Sequence, residues 1–508
     1  MVVLSNQFII WITIGLYAIM MLLIGVAGAK SSKGVSSFTV GGRNAGAWIS
    51  ALSYGTAYFS AVMFIGYAGT SGWKYGLWSV LVGIGNAVFG SWLAWKVLAR
   101  RTRDISHRLK IKSMPELLAR RYQSQGIRSF SAVVIFIFLL PYSASVYKGL
   151  TSICSVLLGI DDQICMLVIA IVSALIVILG GYLATLKADF VQGILMMFVL
   201  SILIVFVMMA PNVREGGGIS GMWEYMKQNQ MVPLRSSDAI SLIATIVMTS
   251  FGTWGLPQMI HKYYGIKDDH EVKRGIVIST FFAFLVAGGG YFIGSLSHLF
   301  LDAVPEKGMD YIVPLMLKDS NLPNILLGLV LVLLISASVS TLSAITLTAC
   351  STVTLDLVKE KRKKGLSDEN AGVMTRVFCL LFVVFSYIVA NTNTPILDMM
   401  SYSWGILSGS FLAPYLLSLY WKKANRIGAW ASILTGFVVA FIPGGAKLLL
   451  LAGISSEGLS VLAGYGPVFA VAAMILSLIV CIIVSLIADK YGRTQDNTYF
   501  YTGFVESE

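Results

Sequence analysis

Between residues 333 and 357 the chain reads LLISASVSTLSAITLTACSTVTLDL, an apolar stretch long enough to cross a bilayer yet dense in small hydroxyl side chains. Ala337, Ser340, Thr341 and Ala344 follow the spacing i, i+3, i+4, i+7 and therefore share one helical face. That face is small enough for another helix to approach closely, and it offers two neighbouring oxygens. Such a pair suits a dehydrated hard cation, which prefers oxygen ligands. Taken alone, the same hydroxyls could bond back to carbonyls one turn earlier or only allow tight helix packing. The rest of the chain favours the cation.

The elements that must position these oxygens are membrane spans. Of 508 residues, 56% are hydrophobic and 12% charged, with apolar runs of bilayer length repeating throughout. Thirteen spans are expected, near 8–29, 47–71, 76–98, 129–158, 163–182, 188–210, 239–262, 275–302, 322–357, 374–391, 396–421, 427–446 and 465–488. The fold class is thus an all-α polytopic membrane protein. A net charge of +12 would suggest a nucleic-acid partner in a soluble protein, but here the basic residues alternate between loops and report topology instead. With the N-terminus outside, the inner loops and tail, with the span ends that flank them, hold 29 of the 37 Lys and Arg; the outer loops hold 7, and Lys148 lies inside a span. A multi-pass protein of the cell (inner) membrane is expected, N-terminus outside and C-terminus cytoplasmic, with membrane lipid around it and no nucleic acid bound. The first span ends in AGA (27–29), like a signal-peptidase site. No basic residue precedes Lys30, however, and the run is too long for a signal peptide, so it reads as a retained helix. The five cysteines have no metal-ligand spacing and read as packing residues.

Two spans are interrupted. The second has Gly55 among small and polar residues, and the seventh brings Gly252, Gly255 and Pro257 together. Backbone freed by such interruptions is tolerated only inside protein or along a cavity. Paired interruptions in two halves point to a transporter site. Five spans fall in 47–210 and five in 239–421, and an odd number inverts the second set. The expected organisation is a peripheral helix and inner loop (1–46), a first five-helix repeat (47–210), an outer loop (211–238), a second inverted repeat (239–421), and two peripheral helices with a short inner tail (422–508).

Six motifs, in order, resemble the sodium:solute symporter family, whose members include bacterial proline and pantothenate carriers and the sodium/glucose cotransporters. They are FTVGGR (38–43), ALSYG (51–55), GGYLATLKADFVQ (180–192), GLP (255–257), SVSTLS (338–343), and SWG with LYWKKANRIGA (403–405 and 419–429). The resemblance implies a leucine-transporter-like 5+5 inverted repeat and sodium-driven symport by alternating access. It also implies a sodium site made of the carbonyls of Thr56, Phe59 and Ala337 and the hydroxyls of Ser340 and Thr341. An uncharged cage of this kind would hold sodium weakly enough to release it inside. Asp189 resembles the family's carboxylate on the inner ion path; read by itself, it is a solvated acid near a helix N-terminus. Arg43 is expected to fix the inner end of the second span.

The substrate candidates are Tyr58, Tyr142, Lys148 and Trp254. Tyr142 matches a substrate-site tyrosine of the proline carriers. Tyr58 stands where those carriers have an aspartate, and Thr249 where they have an aromatic residue, so proline itself is not indicated. The amide and carboxylate set of sugar carriers is also missing, and an amino acid or organic acid is favoured. Lys148 lies about five residues from the middle of its span. Its ammonium must snorkel outward, pair with a substrate carboxylate, or take a proton-linked role in which proton replaces or modulates sodium. A transporter-like solute sensor is disfavoured by the short tail after the last span, a channel by the lack of a carbonyl filter or acidic ring, and an ATP-driven pump by the lack of a phosphate loop. No enzymatic activity is expected, and a monomer is expected.

Overall fold

The computed structural model describes residues 2–29, 43–359, 367–454, 456–493 and 495–502; residues 38–42 of the first motif lie outside them. Among the described residues the architecture is helical, with one isolated bridge between Ala45 and Ile266. Large apolar side chains such as Leu16, Phe198, Val277 and Val438 face outward, as a lipid-facing surface requires. The hydroxyl-rich stretch runs through the helix Asn324–Thr352, in which every residue from 336 to 352 is buried, into the π-helical segment Val353–Lys359. Its hydroxyls therefore meet protein on all sides rather than lipid. The helix packs on Gln125–Leu158, on Asp162–Met209 and on the first helix, Val2–Ala29.

The thirteen expected spans are not reproduced as thirteen separate membrane-length helices. Eight described helices are long and apolar enough to cross a membrane, or nine when the bent pair Ser236–Gly255 and Pro257–Tyr264 is counted. Some expected spans are broken or too short to qualify alone, and others run together. Asp162–Met209 covers two of them in one 48-residue helical run, about 72 Å if straight, against about 30 Å of bilayer core. Its apolar parts are the stretches Asp162–Val172 and Thr185–Met209.

Both interrupted spans are broken, but the first not where expected. The helix Ala47–Tyr58 runs through Gly55 and ends when Phe59 turns extended (φ −105°, ψ 102°). Gly55 serves a different purpose: a Cβ there would lie 2.3 Å from the Phe282 ring, so glycine lets the Asp269–Ala283 helix press against it. Farther along the same span, a Cβ at Gly72 would lie 1.9 Å from the Gly294 carbonyl, and the two backbones touch. The second break falls where expected. A 3₁₀ turn at Gly252–Gly255 leads into extended Leu256 and then Pro257–Tyr264, with a bend of 49°. Pro257 opens the new helix, where its missing N–H costs nothing.

One end of the helical assembly is tied together by guanidinium groups. Arg43 donates to the carbonyls of Ser106 (2.7 Å) and Ile111 (2.8 Å), gripping the end of the helix Arg100–Leu109. Buried Arg121 donates to the carbonyls of Trp421 (3.0 Å) and Ala424 (2.9 Å), which gives the WKKA part of the last motif a structural role.

Candidate functional site

The helix Ala47–Tyr58 stops before Ser60, so its last carbonyls lack the amide one turn ahead that a continuing helix would supply. The Thr56 carbonyl instead accepts from Thr341 Oγ1 at 3.1 Å. Thr341 Oγ1 also lies 3.0 Å from the Ala337 carbonyl, and its single proton serves one of the two at a time. Ser340 Oγ is 3.0 Å from Thr56 Oγ1 and donates to Asp189 Oδ1 at 2.6 Å. Four of the five expected cation ligands, Thr56, Ala337, Ser340 and Thr341, are thus brought together across two helices. Phe59 is buried at the break itself, three residues on. The Asn324–Thr352 helix aligns the hydroxyls by its periodicity, and the end of Ala47–Tyr58 supplies the carbonyls. Converging neutral oxygens of this kind suit a small hard cation.

Asp189 is not a solvated surface acid, being 1% exposed. Its second oxygen, Oδ2, accepts from Ser53 Oγ at 2.5 Å and pairs with the Lys262 ammonium at 3.1 Å. Lys262 Nζ also donates to Ser53 Oγ at 2.7 Å. One carboxylate therefore joins the neutral oxygen cluster to a buried cation. Neither Ser53 nor Lys262 is singled out by the sequence reading, in which Lys262 counts as one more inner basic residue at a span end. A usable signal exists, since Lys262 follows Pro257 by five residues and so lies within two helical turns of a mid-membrane break.

Among the substrate candidates, Tyr58 and Tyr142 come together through Trp404. The Tyr58 and Trp404 ring centroids are 6.1 Å apart, and Tyr142 meets Trp404 edge-on at 5.6 Å. The Tyr58 hydroxyl donates to the Thr249 backbone carbonyl at 2.6 Å, so the two positions expected to differ from the proline carriers are in contact. Glycine at 90 leaves room for this hydroxyl, since a Cβ there would lie 2.2 Å from it. Tyr142 Oη and Trp404 Nε1 are buried with no hydrogen-bond partner among the described residues, and polar atoms so placed suit a ligand. Trp254 commits its indole N–H to the Phe89 carbonyl at 3.0 Å.

Lys148 is not brought to this group. Its ammonium donates to the carbonyls of Thr392 (2.6 Å) and Thr394 (2.8 Å), in the loop between the helices Asp368–Ala390 and Ile396–Tyr420. A four-carbon stem lets the head leave the apolar depth of its own helix and reach backbone oxygens, which is the snorkelling arrangement.

A family model described as the sodium:solute symporter family matches residues 38–436. The osmoregulated proline transporter of Bacillus subtilis (strain 168) is 27% identical over 491 residues, 95% of each chain. The sodium/proline symporter of Salmonella typhimurium is 25% identical over 446 residues, 85% of this chain and 87% of that one. Among solved structures, a Na+-coupled sialic acid symporter in a substrate-bound outward-open state superposes with a TM-score of 0.75 at 16% identity, covering 94% of this chain and 97% of that one. The fold is that of the leucine-transporter-like carriers.

Proposed function

Because this chain belongs to the sodium:solute symporter family, we propose that it carries a small amino acid inward with sodium, using Thr56, Phe59, Ala337, Ser340 and Thr341 as the sodium cage. The observation that carries the reading is the hydroxyl bridge from Ser340 and Thr341 to the end of the broken helix at Thr56. Sodium entering there replaces hydrogen bonds between the two helices with ion–oxygen contacts, and so favours the arrangement in which both helices face one ion. With the cage formed, the neighbouring end of the broken helix, at Tyr58 and Phe59, is held in place for the solute. Neutral ligands keep the ion's affinity modest, and Asp189 offers the next oxygen on the way inward.

Tyr58, Tyr142 and Trp404 form the solute site. Their aromatic surfaces suit a compact apolar side chain, and the Tyr142 hydroxyl and Trp404 indole N–H supply donors for a carboxylate or carbonyl. The curated relatives are named as proline transporters, which makes proline the first amino acid to test. Tyr58, in place of the aspartate expected in the proline carriers and with its hydroxyl tied to the Thr249 backbone carbonyl, leaves the site without that charge and supports a different side-chain preference. Residues 47–210 and 239–421 act as the two inverted repeats. The N-terminus lies outside and the C-terminus inside the cell membrane, and the chain works as a monomer.

The test is uptake into proteoliposomes holding the purified chain, screened over amino acids, carboxylates and sugars, with an inward sodium gradient or with potassium in its place. Sodium-dependent accumulation of an amino acid supports the reading. A sugar as the sole substrate, or uptake equal in the two salts, refutes it.

A further inference from the structure

Asp189 is shared. Its Oδ1 faces the sodium cage through Ser340 at 2.6 Å, while its Oδ2 is held by the Lys262 ammonium at 3.1 Å and by Ser53 at 2.5 Å. Both charged groups are almost wholly buried, at 1% and 5% exposure. A carboxylate at such depth is costly unless a cation accompanies it. Without the lysine, the hydroxyls of Ser53, Ser340 and Thr56 around a full negative charge would make a cation site with a charged ligand, stronger than the neutral cage beside it. The ammonium offers the same single charge and up to three donors to the same oxygens. It is also covalently attached, at the end of the inner half of the second broken helix.

We propose that Lys262 is a tethered cation that occupies the place a second sodium would otherwise take at Asp189, and that it thereby limits this chain to one sodium per transport cycle. The inference rests on the sodium cage proposed above. Because Lys262 rides on Pro257–Tyr264, this counter-cation moves with the second broken helix, whereas a free ion would have to bind and leave on every turn.

The test is sodium binding to the purified full-length chain in nanodiscs, followed by calorimetry or intrinsic tryptophan fluorescence at constant ionic strength. The wild type should bind sodium at one site, with a Hill coefficient of about 1. Lys262→Met should gain a second, cooperative site, with the Hill coefficient rising toward about 2 and half-saturation falling roughly tenfold, a change of about 1.4 kcal/mol. Lys262→Arg keeps the charge and should behave as the wild type, and the neutral double variant Asp189→Asn/Lys262→Met should return to one site. A folded Lys262→Met chain whose isotherm matches the wild type overturns the proposal. Should that variant fail to fold, the ratio of ²²Na+ to solute moved by the wild type decides. One sodium per solute supports the tethered cation, and two overturn it. A wild type with no sodium dependence at all marks failure of the sodium cage itself, and of this inference with it.

Discussion

Thr341→Ala removes one hydroxyl from the proposed sodium cage and little else. In the structure that hydroxyl lies 3.1 Å from the Thr56 carbonyl and 3.0 Å from the Ala337 carbonyl. A hydrogen bond or ligand contact to a charged partner is worth about 1.5–3 kcal/mol, so losing one of the five proposed sodium ligands should raise the sodium concentration for half-maximal uptake roughly ten- to hundredfold. The folded protein should suffer less. Thr341 also bonds back within its own helix, an interaction alanine does without, so the stability cost comes from the Thr56 carbonyl losing its donor, about 1 kcal/mol. The assay is solute uptake into proteoliposomes over a wide range of sodium at fixed ionic strength, with thermal unfolding measured in parallel. Uptake at saturating sodium should approach that of the wild type, and Thr341→Ser, which keeps the oxygen, should lie close to wild type throughout. Wild-type half-saturation in Thr341→Ala, with normal folding, would refute the assignment of this oxygen to the ion.

Lys148→Met should lower the unfolding temperature, by the loss of two bonds to the Thr392 and Thr394 carbonyls and about 1–3 kcal/mol. Solute affinity should stay within about twofold, and a large loss of affinity measured by binding would return this lysine to the substrate site. Gly55→Ala should cost about 1–3 kcal/mol through its clash with Phe282. Combining it with Phe282→Leu should restore part of the unfolding temperature, and a Gly55→Ala chain as stable as wild type would contradict the close contact. Single cysteines in the loop 211–238 should react with an impermeant reagent on intact cells, and those in 359–373 only after permeabilisation; the reverse pattern would invert the proposed orientation.

The hydroxyl face was legible because helical spacing is written in the order of residues: Ser340 and Thr341 must share a side whatever surrounds them. The partner of that face was harder to read. The first break falls at Phe59, with neither glycine nor proline at that residue or the next, so local propensity does not announce it. Gly55, which looked like the break, answers a packing demand from Phe282, a residue far away in the chain. Lys262 and Lys148 show the same limit from opposite directions. The lysine at a span end reads as an ordinary inner charge and proves to be buried on Asp189, whereas the lysine deep in a span reads as a site residue and proves to reach a loop. Depth along a helix follows from sequence, but the direction of a long side chain depends on oxygens supplied by remote segments. The spans as apolar runs were equally legible. Their count as separate helices was not, because breaks depend on what each run packs against.

The helical run Asp269–Leu299 touches both pieces of the first broken span, pressing Phe282 onto Gly55 on one side of the break and the Gly294 backbone onto Gly72 on the other. A strut fastened on either side of a fracture acts as a splint. Between its two fastenings this strut carries a π-helical stretch, Phe284–Gly288, followed by Gly289 and Gly290. A tilt of the two pieces about the extended residue must therefore be matched by bending at this glycine-rich stretch.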